Sequence, residues 1–532
     1  MNILSFKKTF TPEYTICLLL IWQFFSLVFI ILGIAPHELV WVNFAISVGY
    51  ILFADSYYAL LYIIASLPFA VALPLGTIDS IPMWRVQFLL LVAVFGIKEF
   101  LKKKFLAVHD WLENIPSWDR YIAIFAAVGL LTVSYAKFAV PGIKDVIFWI
   151  NIYLIYALIV QIIKTKQQII ALIKFTALSL SIFVLIGYIQ LIITFFTSLN
   201  IFWVYWATNV SSLYFGKALS DVLLYSNSWF SYTGGTDLRM FSVLPDSHSF
   251  AMVSVYCISF LLPLTYLCHD MRLFGNKLKY WLWSLIRFAG LAVVLSGTRA
   301  VWVGLVVPSI LVGLAYYNHY ILPVAKRIFW PLIIIIFFFV LSPLINIGLH
   351  HLRVNKFEEN FVDRAKSIYD LNEGSNQGRL QIWKDSLQYS LAHPQGTGLA
   401  NFVVSLTPET GISQDYQQVA DSHNKRFNLP QKFVTAHNLY LHILVEMGVV
   451  GLVAFLLFWW KYFEVLEKFV QKTKDHDNFF NFFVISTAVT FIWFLAAAMF
   501  DVTFFNDKVL IYFFISLGLS AVIIRKYDDL IK

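Results

Sequence analysis

About fourteen apolar runs follow one another along this chain, and they constrain the fold more than any other feature of it. A helix rising 1.5 Å per residue needs about 20 residues to cross a bilayer's hydrocarbon, so runs of about 17 to 22 are spanning candidates. They lie near 14–34, 39–54, 57–75, 86–98, 120–139, 145–163, 169–197, 250–267, 280–295, 300–317, 328–347, 437–459, 479–499 and 508–524. The fourth is short and the seventh long. Composition agrees, because 59% of the 532 residues are hydrophobic and only 13% charged, against roughly 45–50% and about 25% in soluble domains. The expected fold is an all-α polytopic membrane protein, a single integral membrane domain over 1–532. No internal repeat or low-complexity tract argues for a solenoid or a linker.

The formal net charge of +8 suggests nucleic acid in a soluble chain, so the placement of the cations has to decide. They cluster in alternate short loops: Lys7 and Lys8, Lys98 to Lys104, Lys164 and Lys166, Arg272 to Lys279, Lys326 and Arg327, Lys461 to Lys474, Arg525 and Lys526. The loops between, "APHEL", "TIDSIPMWR", "PGIKD" and "FDVTFFND", carry few. Positive charge marks the cytoplasmic side, which predicts both termini inside and no nucleic-acid partner. The basic N-terminus leads into an apolar stretch too long for a signal-peptide core and without a small-residue cleavage site, so it reads as a retained span. Cys17, Cys257 and Cys268 lie in or beside apolar runs with no disulfide or zinc spacing.

That orientation places two long loops outside, 198–249 and 348–436. The second contains "SNQGRLQIWKDSLQYSLAHPQGTGLANF", where Leu380, Trp383, Leu387 and Leu391 fall at helical spacing and "PQGTG" ends the run, predicting an amphipathic helix on the membrane face. An ordinary surface helix covering the bundle fits the same four residues.

Ionisable groups at a membrane edge are costly and raise a functional question. Arg239, in "LRMFSVLPDSHSFA", precedes the eighth span, where a snorkelling interfacial arginine is the bland reading. In "VVLSGTRAVWVG", Gly297 suits a helix C-terminus and Ser296 or Thr298 a cap. Arg299 then falls in a helix's first turn, where a cation is disfavoured unless an anion stands in front of it. The alternative is an arginine paired with an acidic neighbour. In "TAHNLYLHILVEMGVVGL", Thr435 is a plausible N-cap and His437 would lie in the first turn, where the helix terminus favours a neutral imidazole fit to take a proton. A histidine merely marking the interface is the competing reading. "DHD" at 475–477 resembles a metal and nucleotide-sugar motif but lies in a charged cytoplasmic linker, and "NVS" at Asn209 is a glycosylation pattern only in a eukaryotic secretory pathway. No P-loop, G-x-S-x-G, H-E-x-x-H or Rossmann pattern is present.

Together "SGTRAVWVG", "GRLQIWKDSLQYSLAHPQGTGLANF" and "AHNLYLHILVEMGVVGL" resemble, in order and spacing, the bacterial O-antigen ligase and polymerase superfamily over roughly residues 235–460. The resemblance implies a GT-C-type inverting glycosyltransferase in the bacterial inner membrane, acting at its periplasmic face without metal or other cofactor. Its donor would be an undecaprenyl-diphosphate-linked glycan. The acceptor would be a lipid A core sugar in a ligase, or the next lipid-linked repeat unit in a polymerase. By the same resemblance His437 activates the acceptor hydroxyl, Arg299 and Arg239 hold the donor pyrophosphate, and Arg379 is a further substrate-binding candidate. "LPDSHSFA" departs from the superfamily's proline-asparagine entry, and the chain has about two more spans than a typical ligase. A solute transporter or flippase is the reading from another class, and it would show mid-span charges and inverted repeats.

Overall fold

The computed structural model describes residues 11–74, 81–101, 116–217, 238–267, 275–318, 322–352, 374–402, 435–474 and 478–531, with Ser220, Ile368 and Asp370. Each of the fourteen apolar runs contains helix, since a backbone in hydrocarbon must bond its amides internally, but the helix of the third run ends at Ser66 and gives way to a 3-10 turn at Leu67–Phe69. The first group is α1 (Pro12–Ile31), α2 (Leu39–Phe53) and α3 (Ser56–Ser66), and a two-residue ladder, Ala72–Leu73 against Ile81–Pro82, leads into α4 (Met83–Leu101). Next come α5 (Asp119–Val133), α6 (Ala139–Ile162), α7 (Lys166–Phe196) and two short helices, α8 (Leu199–Tyr205) and α9 (Ser212–Phe215). The remainder comprises α10 (Ser247–Leu267), α11 (Gly275–Leu295), α12 (Arg299–Gly304) running on into α13 (Val306–Tyr317), and α14 (Leu322–Leu352). It closes with α15 (Gly374–Ala392), α16 (Leu439–Thr473), α17 (Phe479–Ala497) and α18 (Asp507–Ile531). Among the described residues ten helices are long and apolar enough to cross a membrane, with α12 and α13 counted as one. Helices α2, α3, α4 and α5, the other apolar runs, fall outside that set.

Burial separates centre from rim. The spanning windows of α10 and α18 are each 89% buried and that of α17 78%, whereas α1 buries 28% of its window and leaves Ile21, Trp22 and Phe25 on the surface. Helix α10 therefore forms the middle of the bundle, packed on α7, α11, α17 and α18. The rim helices are joined by polar contacts: Gln23 donates to Tyr62 Oη at 2.6 Å and Asn43 to Ser26 Oγ at 2.7 Å, the bonds that hold helices together where lipid offers no hydrophobic drive.

Several of the loop cations meet at one end of the bundle. Lys526 Nζ donates to the carbonyl of Lys164, Lys472 pairs with Asp528 at 2.6 Å, and the Arg327 guanidinium lies 4.7 Å over the Tyr266 ring, where α10 ends. The turns after α11, before α16 and after α17 lie at the opposite end.

Three expectations about the loops change. Residues 198–249 begin as helix rather than loop, because Phe202, Trp203 and Trp206 pack inward and Trp206 meets Phe241 edge-on at 6.0 Å. Helix α14 runs to Leu352, past the expected loop start at 348, and 353–367, 403–434 and 475–477 lie outside the described residues. The helix expected around Leu380 is α15, but its inward face is Ile382, Asp385, Ser386 and Ser390. Leu380, Leu387 and Leu391 are exposed, leaving them free to face lipid. Trp383 is the one of the four that turns in.

The sixteenth helix is not the continuous rod its apolar run suggests. Gly448 has φ 67° and ψ −171°, which breaks the helix, and the "HPQGTG" turn fills the gap. Thr397 N donates to Val445 O, Gly398 N to Glu446 O and Val449 N to Pro394 O, all within 2.8–2.9 Å. Gly396 and Gly398 both carry positive φ, and a Cβ on Gly396 would strike the Glu446 carbonyl. Irregular backbone at membrane depth survives only when its amides are re-satisfied by protein, as they are here.

Candidate active site

The segment carrying Arg239 is pinned to the turn between α11 and α12. Arg239 Nε donates to Ser296 O at 3.2 Å and Nη2 to Thr298 Oγ1 at 3.4 Å, while Met240 N donates to Leu295 O. Ser242 has φ 59°, an uncommon conformation for a residue other than glycine. Buried Gln190 of α7 holds it, accepting from Phe241 N and Ser242 N at 3.0 and 3.1 Å. Gly297 ends α11 with φ 63°, as expected of a helix C-terminal glycine. Thr298 occupies the N-cap position of α12 but makes no side-chain cap. Its hydroxyl donates to Ser247 O at 3.2 Å instead, tying the turn that bears Arg299 to the start of α10.

The cap of α16 is Asn438, whose side chain accepts from Leu441 N at 3.1 Å. The expectation that Thr435 caps this helix and His437 sits in its first turn is therefore corrected. His437 stands just ahead of the helix with φ 47°, backbone strain of a kind that clusters at working sites. Its neighbours fix it: Ala436 O accepts from Trp383 Nε1 at 2.9 Å, and Leu439 N donates to Ala498 O at 2.8 Å. His437 Nδ1 is buried and has no hydrogen-bond partner among the described residues. Burial above all, with the nearby Arg379, His248 and His442, brings the imidazole pKa down to about 4 against the opposing pull of Asp501. A pKa of about 4 leaves the imidazole neutral near pH 7, and the chief cause is desolvation rather than the helix terminus.

Asp501 and His248 were not singled out from the sequence. Asp501 follows α17 and pairs with His248 Nδ1. Burial pushes its carboxyl up, but the combined pull of His248, His437 and the Thr503 hydroxyl holds it well below the usual range. Asp246 caps α10, accepting from Ser249 N at 2.6 Å and from Asn506 Nδ2 at 2.8 Å. Ala300, Val301 and Asp501 line one small cavity, so the helix of Arg299 and the loop of Asp501 meet. The structure therefore gathers Arg239, Arg299, Arg379 and His437 at one end of the bundle and adds Asp501 and His248. The available signal for Asp501 was an acidic residue at the edge of a span, in a loop already marked by its lack of cations. Among the described residues no three His, Cys, Asp or Glu are grouped to hold a metal ion.

Beside this cluster lies a cavity of about 290 Å³, lined by Lys144, Asp145, Phe148, Trp149, Phe402, Thr435, His442, Glu446 and Phe505 among others. Glu446 is 6% exposed and accepts from Ala400 N at 3.1 Å and Phe402 N at 3.0 Å. It thereby holds the left-handed Ala400, φ 58°. The sequence reading gave this carboxylate no role.

Residues 285–456 match the model of a protein family described as O-antigen ligase, so the chain carries a domain of that family. The match includes Arg299, Arg379 and His437, and it leaves Arg239, His248 and Asp501 outside. No curated protein matches the chain.

Proposed function

We propose, from the O-antigen ligase domain as premise, that this membrane protein is an inverting glycosyltransferase acting at the periplasmic face of the bacterial inner membrane. It would move a glycan from undecaprenyl diphosphate to a sugar of the lipid A core. The observation that carries the reading is the convergence of a neutral, left-handed His437 with Asp501 and three arginines at one end of the bundle. Arg239 and Arg299 face the donor diphosphate and neutralise the charge that grows on it as the bond to the sugar breaks. The acceptor hydroxyl attacks the anomeric carbon, its proton passes to His437, and the electron pair of the breaking C–O bond leaves with the diphosphate. One displacement inverts the anomeric centre and needs no enzyme-bound intermediate. Asp501 stabilises the imidazolium through its field as the proton arrives, and His248 secures Asp501. Diphosphate is already a good leaving group, so no ATP is required.

The test is transfer by purified protein in proteoliposomes, with a polyprenyl-diphosphate glycan as donor and lipid A core as acceptor. His437→Ala and Arg299→Ala are expected to abolish product while folding normally. Full activity in either variant contradicts the assigned roles. Product on a second lipid-linked repeat unit in place of the core would make the enzyme a polymerase.

A further inference from the structure

An apolar groove of about 450 Å³ runs between α5, α6, α16 and α18, with Phe458 and Phe513 in its wall. Ala123 and Ile150 line it as exposed residues, so it opens sideways from the bundle, toward lipid. Its only charged lining residues among those described are Asp119 and Arg120, neighbours on the first turn of α5. Asp119 Oδ2 accepts from Tyr156 Oη at 2.9 Å, and Tyr156 stands about two turns before α6 ends at Ile162. Just beyond that end come Lys164 and its contact with Lys526. The charged end of the groove therefore belongs to the end of the bundle where loop cations meet, opposite the turn that carries His437.

Both charges have bonding capacity to spare. Asp119 is 4% exposed, and its second carboxylate oxygen, Oδ1, has no hydrogen-bond partner among the described residues. A buried acceptor left unmade is costly, most of all when ionised, so this end of the groove calls for a donor. Arg120 is exposed and forms no ion pair among the described residues, so it calls for an anion. An apolar chain with an anion and a donor at its head is a phospholipid, and the two charges select among headgroups. Phosphatidylglycerol offers hydroxyl donors but sets a net negative charge beside the carboxylate. Phosphatidylcholine carries both charges, but its methylated nitrogen has no hydrogen to give. Phosphatidylethanolamine has the phosphate oxygens that a guanidinium binds and an ammonium with three donors for a carboxylate. We propose that the groove holds one aminophospholipid, an acyl chain between the four helices, its phosphate on Arg120 and its ammonium toward Asp119. This lipid is neither donor nor acceptor of the proposed transfer, and no part of the transferase reading supports it. It fills the space behind α16, the helix that His437 precedes, and so stabilises the fold.

Native mass spectrometry of the delipidated, detergent-purified protein tests the site, with phosphatidylethanolamine, phosphatidylcholine and phosphatidylglycerol of identical acyl chains titrated one at a time. Wild type is expected to bind one phosphatidylethanolamine about tenfold more tightly than either of the others, the effect of one charge-assisted hydrogen bond. It should also melt at a higher temperature with that lipid bound. Arg120→Gln, an exposed substitution, weakens all three lipids by losing the phosphate. Asp119→Asn keeps an acceptor for Tyr156 and abolishes the preference for ethanolamine over choline. Ala123→Trp fills the groove from its exposed side and removes the saturable site. Should Asp119→Asn fail to fold, the other two variants still decide. Equal, non-saturating binding of the three headgroups by wild type would mark a bed of bulk lipid and overturn the proposal. Equal affinity for ethanolamine and choline heads, tighter binding of phosphatidylglycerol, or a saturable site unchanged in Ala123→Trp or Arg120→Gln would do the same. Displacement of the bound lipid by a polyprenyl-diphosphate glycan would assign the groove to the transfer donor and overturn it as well.

Discussion

Two buried carboxylates flank the segment of His437, and their surroundings differ in kind. Glu446, inside α16, faces backbone: two loop amides donate to it within 3.1 Å, and His442 approaches it at 3.6 Å while stacking on Phe402. Asp501, beyond the end of α17, faces charged and titratable side chains, His248 in contact and His437 near enough to share its field. A carboxylate saturated by amides is committed to shape, because withdrawing it strands buried donors. One that meets imidazoles is placed to follow a proton. In the proposed mechanism the first region builds the loop and the second carries the chemistry.

The comparison breaks most decisively at His437. Replacing it with Ala is expected to lower kcat by about 10²- to 10⁴-fold, the usual contribution of a positioned base, with the protein still monodisperse by size-exclusion chromatography. Arg299→Ala should cost about 10²- to 10³-fold, as loss of one preorganised charge partner does, measured as single-turnover transfer at saturating donor. Asp501→Asn should cost less, about 10²-fold, and it carries a second signature. The base must be neutral, so wild-type kcat should hold from neutral pH downward and fall with a midpoint near 4. Since Asp501 raises that value, its removal moves the acid limb lower still.

Glu446→Gln inverts the pattern. Its NH₂ group faces backbone donors, and the expected loss of about 1–3 kcal/mol appears as a lower Tm, while kcat per folded molecule is retained. Smallest is the acid dependence of stability. His437 titrates at about 4 when folded against 6.5 when unfolded, so between those values the unfolded chain holds more protons. Its contribution is full above pH 6.5 and fades as pH falls toward 4. Chemical denaturation of His437→Ala should show a flatter profile across that window, and an identical one would place the imidazole in solvent.

Legibility in the sequence followed the range of the interaction. The helices within the apolar runs were readable because each is dictated by its own residues, though the third ends at Ser66, well short of its run, and Gly297 was readable because one local turn required it. His437 was found for its place at a span's edge, but its cap was misread: Thr435 and Asn438 are both good cap residues, and only the bond to Leu441 N tells them apart. The break at Gly448 looked like an ordinary glycine in an apolar run, since what fills it lies some fifty residues earlier, at Pro394 to Gly398. Asp501 and His248 lie farther apart still. Their pairing depends on how α10 and α17 pack, which no local spacing records. The inward face of α15 was missed for the same reason: it is largely polar, and hydrophobic periodicity pointed to the opposite one.

The division between the two carboxylates is tested most directly by single-turnover transfer for Asp501→Asn and Glu446→Gln, normalised to folded protein and set beside their melting temperatures. The account predicts an Asp501→Asn enzyme that melts near wild type and transfers about a hundredfold more slowly, and a Glu446→Gln enzyme that melts earlier and transfers at the wild-type rate. If both variants lose rate and stability together, the two carboxylates serve one scaffold, and Asp501 has no separate part in the chemistry.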